Sequence, residues 1–129
     1  MSATIVSRRI RSPVFYRLQR YSEALPPLMA SLRHDPAQPR ANFLVAMARA
    51  WLGETDSSLP YYQKAVQSES SLGQLPDYLD LLSRNYVQQA RYADGLKVSE
   101  EAAQLAQAAG RTDQAAKLQQ RAQYCRDRR

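Results

Sequence analysis

Apolar residues recur along this chain at intervals of three and four, the period of helices that bury one side. Ser12-Pro13 reads as a helix start, with Ser as cap and Pro in the first turn, and predicts a short helix over Pro13–Gln19 that offers Phe15 and Leu18 to a neighbour. A second helix over Ser22–His34 carries Ala24, Leu25, Leu28 and Leu32 on one side. Asp35-Pro36 and Pro39 end it, because proline disfavours helix in the residue before it. A third, over Arg40–Leu52, carries Phe43, Leu44, Met47, Ala48 and Trp51 and stops at Gly53. A fourth opens at Asp56 as N-cap and carries Leu59, Tyr62, Ala65 and Val66. Residues 67–76 are the most loop-like stretch. The fifth helix covers Asp77–Ala90 with Tyr78, Leu79, Leu82, Tyr86 and Val87, and the sixth covers Tyr92–Ala109 and closes at Gly110. Thr112-Asp113 caps a last helix to about Cys125, with Ala115, Leu118 and Ala122 inward. Residues 1–12 show no sustained period and are expected to form a basic, flexible segment ahead of a helical domain over 13–127.

Small residues mark a second pattern. Ala24/Ser31, Ser58/Ala65, Gly95/Ala102 and Ala115/Ala122 each lie seven apart, close to two helical turns, so each pair opens two gaps on one helix face. A neighbouring helix can approach closely there. The first members lie 34, 37 and 20 residues apart. The last interval is too short for two helices with their turns, so the final pair belongs to a single closing helix.

Three stretches resemble the tetratricopeptide repeat, whose helix–turn–helix unit is 34 residues long. They are Tyr21-x2-Ala24-x3-Leu28-x2-Ser31-x4-Pro36, Gly53-x-Thr55-x2-Ser58-x3-Tyr62-x2-Ala65, and Leu79-x2-Leu82-Ser83-x2-Tyr86-x5-Tyr92-x2-Gly95-x6-Ala102. Leu96–Arg126 is similar to the ending of many bacterial arrays, in which a long alanine-rich helix, a Gly-Arg-Thr-Asp turn and a terminal helix close the stack. The resemblance implies an all-α solenoid of helical hairpins, with two to two-and-a-half repeats and a C-terminal capping helix. The chain departs from the pattern at Asn42, Arg49 and Ser70, in the missing first helix of the first hairpin, and at Pro26-Pro27, which remove two N–H donors early in a helix.

In the resembling family the first helix of each hairpin lines a concave groove that holds partner peptides or helices. Carried over by motif, this places Arg40, Phe43, Met47, Ala50 and Trp51 in one repeat and Asp77, Asp80, Arg84, Val87 and Gln88 in the next. The implied role is a non-enzymatic adaptor or scaffold. Aromatic and methionine surface would supply buried area, the arginines would meet carboxylates, and the acids would meet basic groups. For Phe43 and Trp51, burial between hairpins is the alternative; for Arg40, Arg84, Asp77 and Asp80 it is solvated charge. A clamp for a terminal carboxylate is not expected, since Phe43, Leu44, Met47, Asp77 and Leu81 stand where Lys and Asn would be needed.

Charge alters this picture in one respect. The net charge is +6, and Arg8, Arg9, Arg11, Arg17 and Arg20 near the start and Arg126, Arg128 and Arg129 at the end supply much of it. Such ends contact nucleic acid, an anionic membrane or an acidic partner, or they are simply solvated. Nucleic-acid binding is therefore the second reading, and an accessory subunit of a larger assembly the third. Aromatic–basic interleaving is confined to Tyr16/Arg17 and Arg20/Tyr21. Residues 1–20 share an Arg- and Ser-rich, acid-free composition with organelle transit peptides but lack their apolar face. No apolar run reaches the length of a membrane span and no secretory core is present, so a cytoplasmic location is the expectation.

Candidate chemistry is sparse. His34 sits at a helix C-terminus, where a positive charge favours the dipole. Cys125 has no Cys/His partner at metal-binding spacing and reads as a small, partly buried residue. No phosphate loop, zinc motif or nucleophile elbow is present, and no cofactor is implied. Stacked repeats need about three units to stand alone, so the array is expected to lean on a partner protein, a second copy or its own N-terminal segment.

Overall fold

In the computed structural model, residues 13–129 are described, with side chains from residue 19 onward. The flexibility expected of residues 1–12 and the contacts expected of Phe15 and Leu18 lie outside what is described. The described residues form six α-helices and no strand. They are α1 (Pro13–His34), α2 (Pro39–Trp51), α3 (Thr55–Ser68), α4 (Asp77–Gln88), α5 (Tyr92–Ala108) and α6 (Thr112–Arg128), with a 3-10 turn over Ser70–Gln74. Each helix packs on the next in sequence, and α2, α4 and α6 also touch in turn, which makes them one row of helices.

Two helices expected before the first turn are one. α1 runs without a break from Pro13 to His34, through both Pro26 and Pro27. Each proline deprives the carbonyl four residues back of its donor. Those carbonyls belong to Ser22 and Glu23, both exposed, as are the proline rings, so water reaches the missing hydrogen bonds. Leu25, Leu28 and Leu32 meanwhile hold the helix against its neighbour.

Three turns share one geometry. After α2, Gly53 N–H donates to Ala50 and Glu54 N–H to Arg49; after α4, Ala90 donates to Val87 and Arg91 to Tyr86; after α5, Gly110 donates to Gln107 and Arg111 to Ala106. This paired pattern ends a helix with one residue in the left-handed region. Gly53 (φ 81°) and Gly110 (φ 74°) suit it, but the same place after α4 is held by Ala90 at φ 59°. The fifth helix therefore stops at Gln88 rather than Ala90. Nor do the expected caps act as caps. The residues flanking α3 and α6 are Glu54 and Arg111, without a side-chain cap bond, and Asp56 and Asp113 sit in the first turns, where their charge favours the dipole.

The small-residue pairs do what the spacing predicts in three cases of four. Ser58, Ala65, Gly95, Ala102, Ala115 and Ala122 are all buried, whereas Ala24 is half-buried and Ser31 exposed. Tyr78, Leu82 and Leu118 fill the core between these gaps. Tyr78 stacks on Tyr62 at 4.2 Å between ring centroids and shares a 2.7 Å hydrogen bond with Ser58 Oγ. Burial pushes its hydroxyl pKa far up, so it stays protonated. Cys125 is fully buried, more so than expected, and its Sγ would lie 3.0 Å from a Cβ added at Gly95.

Two outcomes are expected. Ala90→Gly should raise stability by about 0.5–1 kcal/mol in urea or thermal unfolding, because relief of left-handed strain outweighs the added freedom of the unfolded chain. Gly95→Val should lower it by about 3 kcal/mol, since α5 has no room for a branched side chain against Cys125 and Tyr86.

Candidate functional site

A cavity of about 370 Å³ opens where α2, α4 and α6 meet. Met47 and Trp51 of α2 form one wall, Asp77, Asp80, Leu81 and Arg84 of α4 the floor, and Gln114 of α6 the far side. Helix periodicity explains the selection: 77, 80, 81 and 84 step by three, one and three along one face of α4. Tyr21 of α1 closes the near side and stacks on Trp51 with ring centroids 5.8 Å apart and planes 12° from parallel.

The acids of the floor are committed to the protein itself. Asp80, expected among wet surface residues, is 9% exposed. Arg121 Nη1 lies 2.6 Å from its Oδ1, Gln114 Nε2 donates to its Oδ2 at 3.0 Å, and Arg84 Nε stands 3.4 Å from Oδ1. Burial pushes the carboxyl pKa up, but the hydrogen bonds from Gln114 and Arg121 and the charges of Arg121 and Arg84 outweigh it and hold the pKa below the ordinary value of 3.8. Arg121 also donates to Ser83 Oγ at 2.9 Å, whose hydroxyl is bound to the Asp80 carbonyl. Asp77 pairs with Arg111 at 2.8 Å and accepts from Gln114 at 3.3 Å. Two carboxylates thus face the three guanidinium groups of Arg84, Arg111 and Arg121. Arg84 is the surplus cation: it is 53% exposed and shares an oxygen that Arg121 already holds more closely.

The structure brings together five of the residues the resemblance assigns to a groove: Met47, Trp51, Asp77, Asp80 and Arg84. It places the others elsewhere. Phe43 packs against the core, 6.4 Å from the Tyr62 ring. Arg40 lies near the α1–α2 turn, 3.7 Å from Glu69, and Gln88 is exposed outside the cavity lining. Ala50 is buried and accepts Asn85 Nδ2 at 2.7 Å through its carbonyl, while Val87 packs on Leu96, Ala122 and Cys125. Tyr21, Gln114, Arg111 and Arg121 are additions. For Arg111 and Gln114 a signal existed: both stand 34 residues beyond the acids they bind, Asp77 and Asp80.

The remaining charge chemistry is peripheral. Arg126 pairs with Glu100 at 3.1 Å, and Arg128 sits 3.4 Å over the Tyr124 ring, so part of the basic C-terminal end is used within the fold. Among the described residues no group of three or more His, Cys, Asp or Glu side chains could hold a metal ion, and no helix is long and apolar enough to cross a membrane. No protein-family model matches the chain, and no curated protein matches it.

Asp80 gives a pH test. Its folded pKa lies below its unfolded value, so its contribution is present above pH 3.8 and is lost as pH falls through the lower folded pKa. Asp80→Asn should destabilise the protein by roughly 3 kcal/mol at neutral pH, because Arg121 loses its buried partner. It should also flatten the loss of stability in acid, read from thermal melts between neutral pH and about pH 2.

Proposed function

We propose that the chain is a tetratricopeptide-like helical module that acts as a non-enzymatic adaptor or scaffold, holding a segment of another protein in the α2–α4–α6 groove. The observation that carries this reading is the groove itself, in which the Tyr21–Trp51 stack, Met47 and Leu81 lie beside a half-exposed arginine. Aromatic and arginine side chains at a concave surface are what partner recognition commonly uses. The pre-set ion pairs beneath add rigidity, so little ordering remains for binding to supply.

A repeat architecture is supported by the cross-helix hydrogen bonds. Asn85 to Ala50, Gln89 to Thr55, Arg91 to Asp56, Arg111 to Asp77 and Gln114 to Asp80 span 34 or 35 residues, one repeat length. The carboxyl of Asp80 is kept ionised by its partners, which suits orientation rather than proton transfer.

The test is capture from host lysate with nuclease present, using the whole chain and a variant carrying Met47→Asp and Arg84→Glu. A partner retained after nuclease and weakened about tenfold or more by the variant, ~1.4 kcal/mol, supports the groove. Retention that disappears with nuclease transfers the function to nucleic acid and the arginine-rich ends. Unchanged retention on the variant removes the groove from the account.

A further inference from the structure

We infer that the partner segment is acidic and amphipathic, with apolar side chains in a slot between α1 and α2 and carboxylates meeting Arg20 and Arg84 on the two sides of Tyr21. This rests on the groove reading and adds to it the partner's charge and a second seat.

The slot encloses about 530 Å³ and is walled by Ala24 and Leu28 of α1 and by Leu44 and Ala48 of α2. Among the described residues its lining is mainly apolar, with Arg20 and Tyr21 as the polar members. Leu44 is 49% exposed, although its neighbours Val45 and Ala46 are fully buried. Tyr21 lines both the slot and the groove, so the two are halves of one surface divided by a single aromatic ring. The opposite end of the helix row differs in kind. There the cavity between α5 and α6 is lined largely by Gln104, Gln107, Gln119 and Gln123, with Glu100 and Arg126 paired across it. Arrays close their ends with polar faces. The α5–α6 end meets that requirement, whereas the described residues of the α1–α2 end present an apolar slot.

Charge selects the occupant. Each half of the surface carries an exposed arginine: Arg20 on the slot and Arg84 on the groove. Asp77 holds Arg111, and Asp80 holds Arg121 and, at 3.4 Å, also Arg84. Glu23, which accepts from Gln19, is the acid nearest Arg20 in sequence, so these four arginines outnumber the three acids by one. The chain's own residues 1–12 bring Arg8, Arg9 and Arg11 and no acid, and a second copy brings a net charge of +6. Both carry the wrong sign for this surface. A segment with leucine-like side chains on one face and carboxylates at its edges supplies area for the slot and partners for the two arginines.

The experiment uses the whole chain and fluorescence anisotropy with two labelled helical peptides. One is built of Glu, Leu and Ala with leucines three and four apart, and the other carries Lys for every Glu. The Glu peptide is expected to bind and the Lys peptide not to. Arg20→Glu, Arg84→Glu and Leu44→Asp, all at exposed positions and checked for helicity by circular dichroism, should each weaken the Glu peptide by about tenfold. Arg20→Glu with Arg84→Glu should gain the Lys peptide. Preference of the unaltered chain for the Lys peptide overturns the charge assignment and leaves the groove reading standing. Indifference to Arg20→Glu and Leu44→Asp overturns the second seat. Failure of both peptides overturns the inference, whereas the groove reading stands or falls on the lysate capture. Two further results also overturn it: Glu-peptide binding that appears only after removal of residues 1–12, and a dimer in sedimentation that Leu44→Asp dissociates. They assign the slot to the chain's own end and to a second copy, respectively.

Discussion

Close approach of helix backbones is the constraint on which the rest of this structure depends. At Gly95 the approach is tight enough that a single added carbon would meet Cys125 and Tyr86. Elsewhere Ala46, Ala50, Ala102, Ala106 and Ala115 let neighbours settle with little between them, and Tyr78, Leu82 and Leu118 occupy the space that remains. Interiors at native density tolerate neither voids nor extra atoms, so small and large residues must alternate in space as they do here. Helices held this near also bring polar groups within reach across the row. Asn85 then donates to the Ala50 carbonyl, and a hydrogen bond joins the Ser58 and Tyr78 hydroxyls.

Turn geometry follows from the same closeness. A helix that must return at once along its neighbour needs a sharp ending, and the left-handed residue supplies it with two backbone hydrogen bonds. The next helix then begins two residues later, with Glu54, Arg91 or Arg111 both ending one turn and opening the next. Two of these three residues carry arginine, and both reach back about one repeat length, to Asp56 and Asp77. Turn, ion pair and helix spacing are thus one arrangement seen at three scales.

The groove inherits its properties from that arrangement. Because α2, α4 and α6 are packed in a row, one face of α4 becomes a floor and its acids lie within reach of α6. Asp80 is then desolvated and must be paired, which Arg121 and Gln114 do. Arg84, one turn further along, keeps half its surface in water while it pairs with Asp80, so three arginines surround two acids.

Helix periodicity was legible in the chain because burial of one side imposes a three-four spacing that no later contact alters. The breaks at Gly53 and Gly110 were legible because glycine takes the left-handed turn without a steric penalty. Ala90 concealed the third break: nothing about an alanine announces positive φ, and only the packing of α5 back onto α4 forces it there. Pro26 and Pro27 misled in the opposite direction, since whether a proline stops a helix depends on whether water can reach the carbonyls it leaves. Met47, Trp51, Asp77, Asp80 and Arg84 were placed on helix faces by the resemblance, while nothing in the sequence marked Arg121. Its distance from Asp80 along the chain has no bearing on its distance in space. Sequence alone therefore determined that the chain is helical and which face of most helices is apolar, because those are local properties of the backbone period. Tertiary structure alone decided which charges are spent inside the protein and which remain outside it, because desolvation and ion pairing exist only once the helices have met.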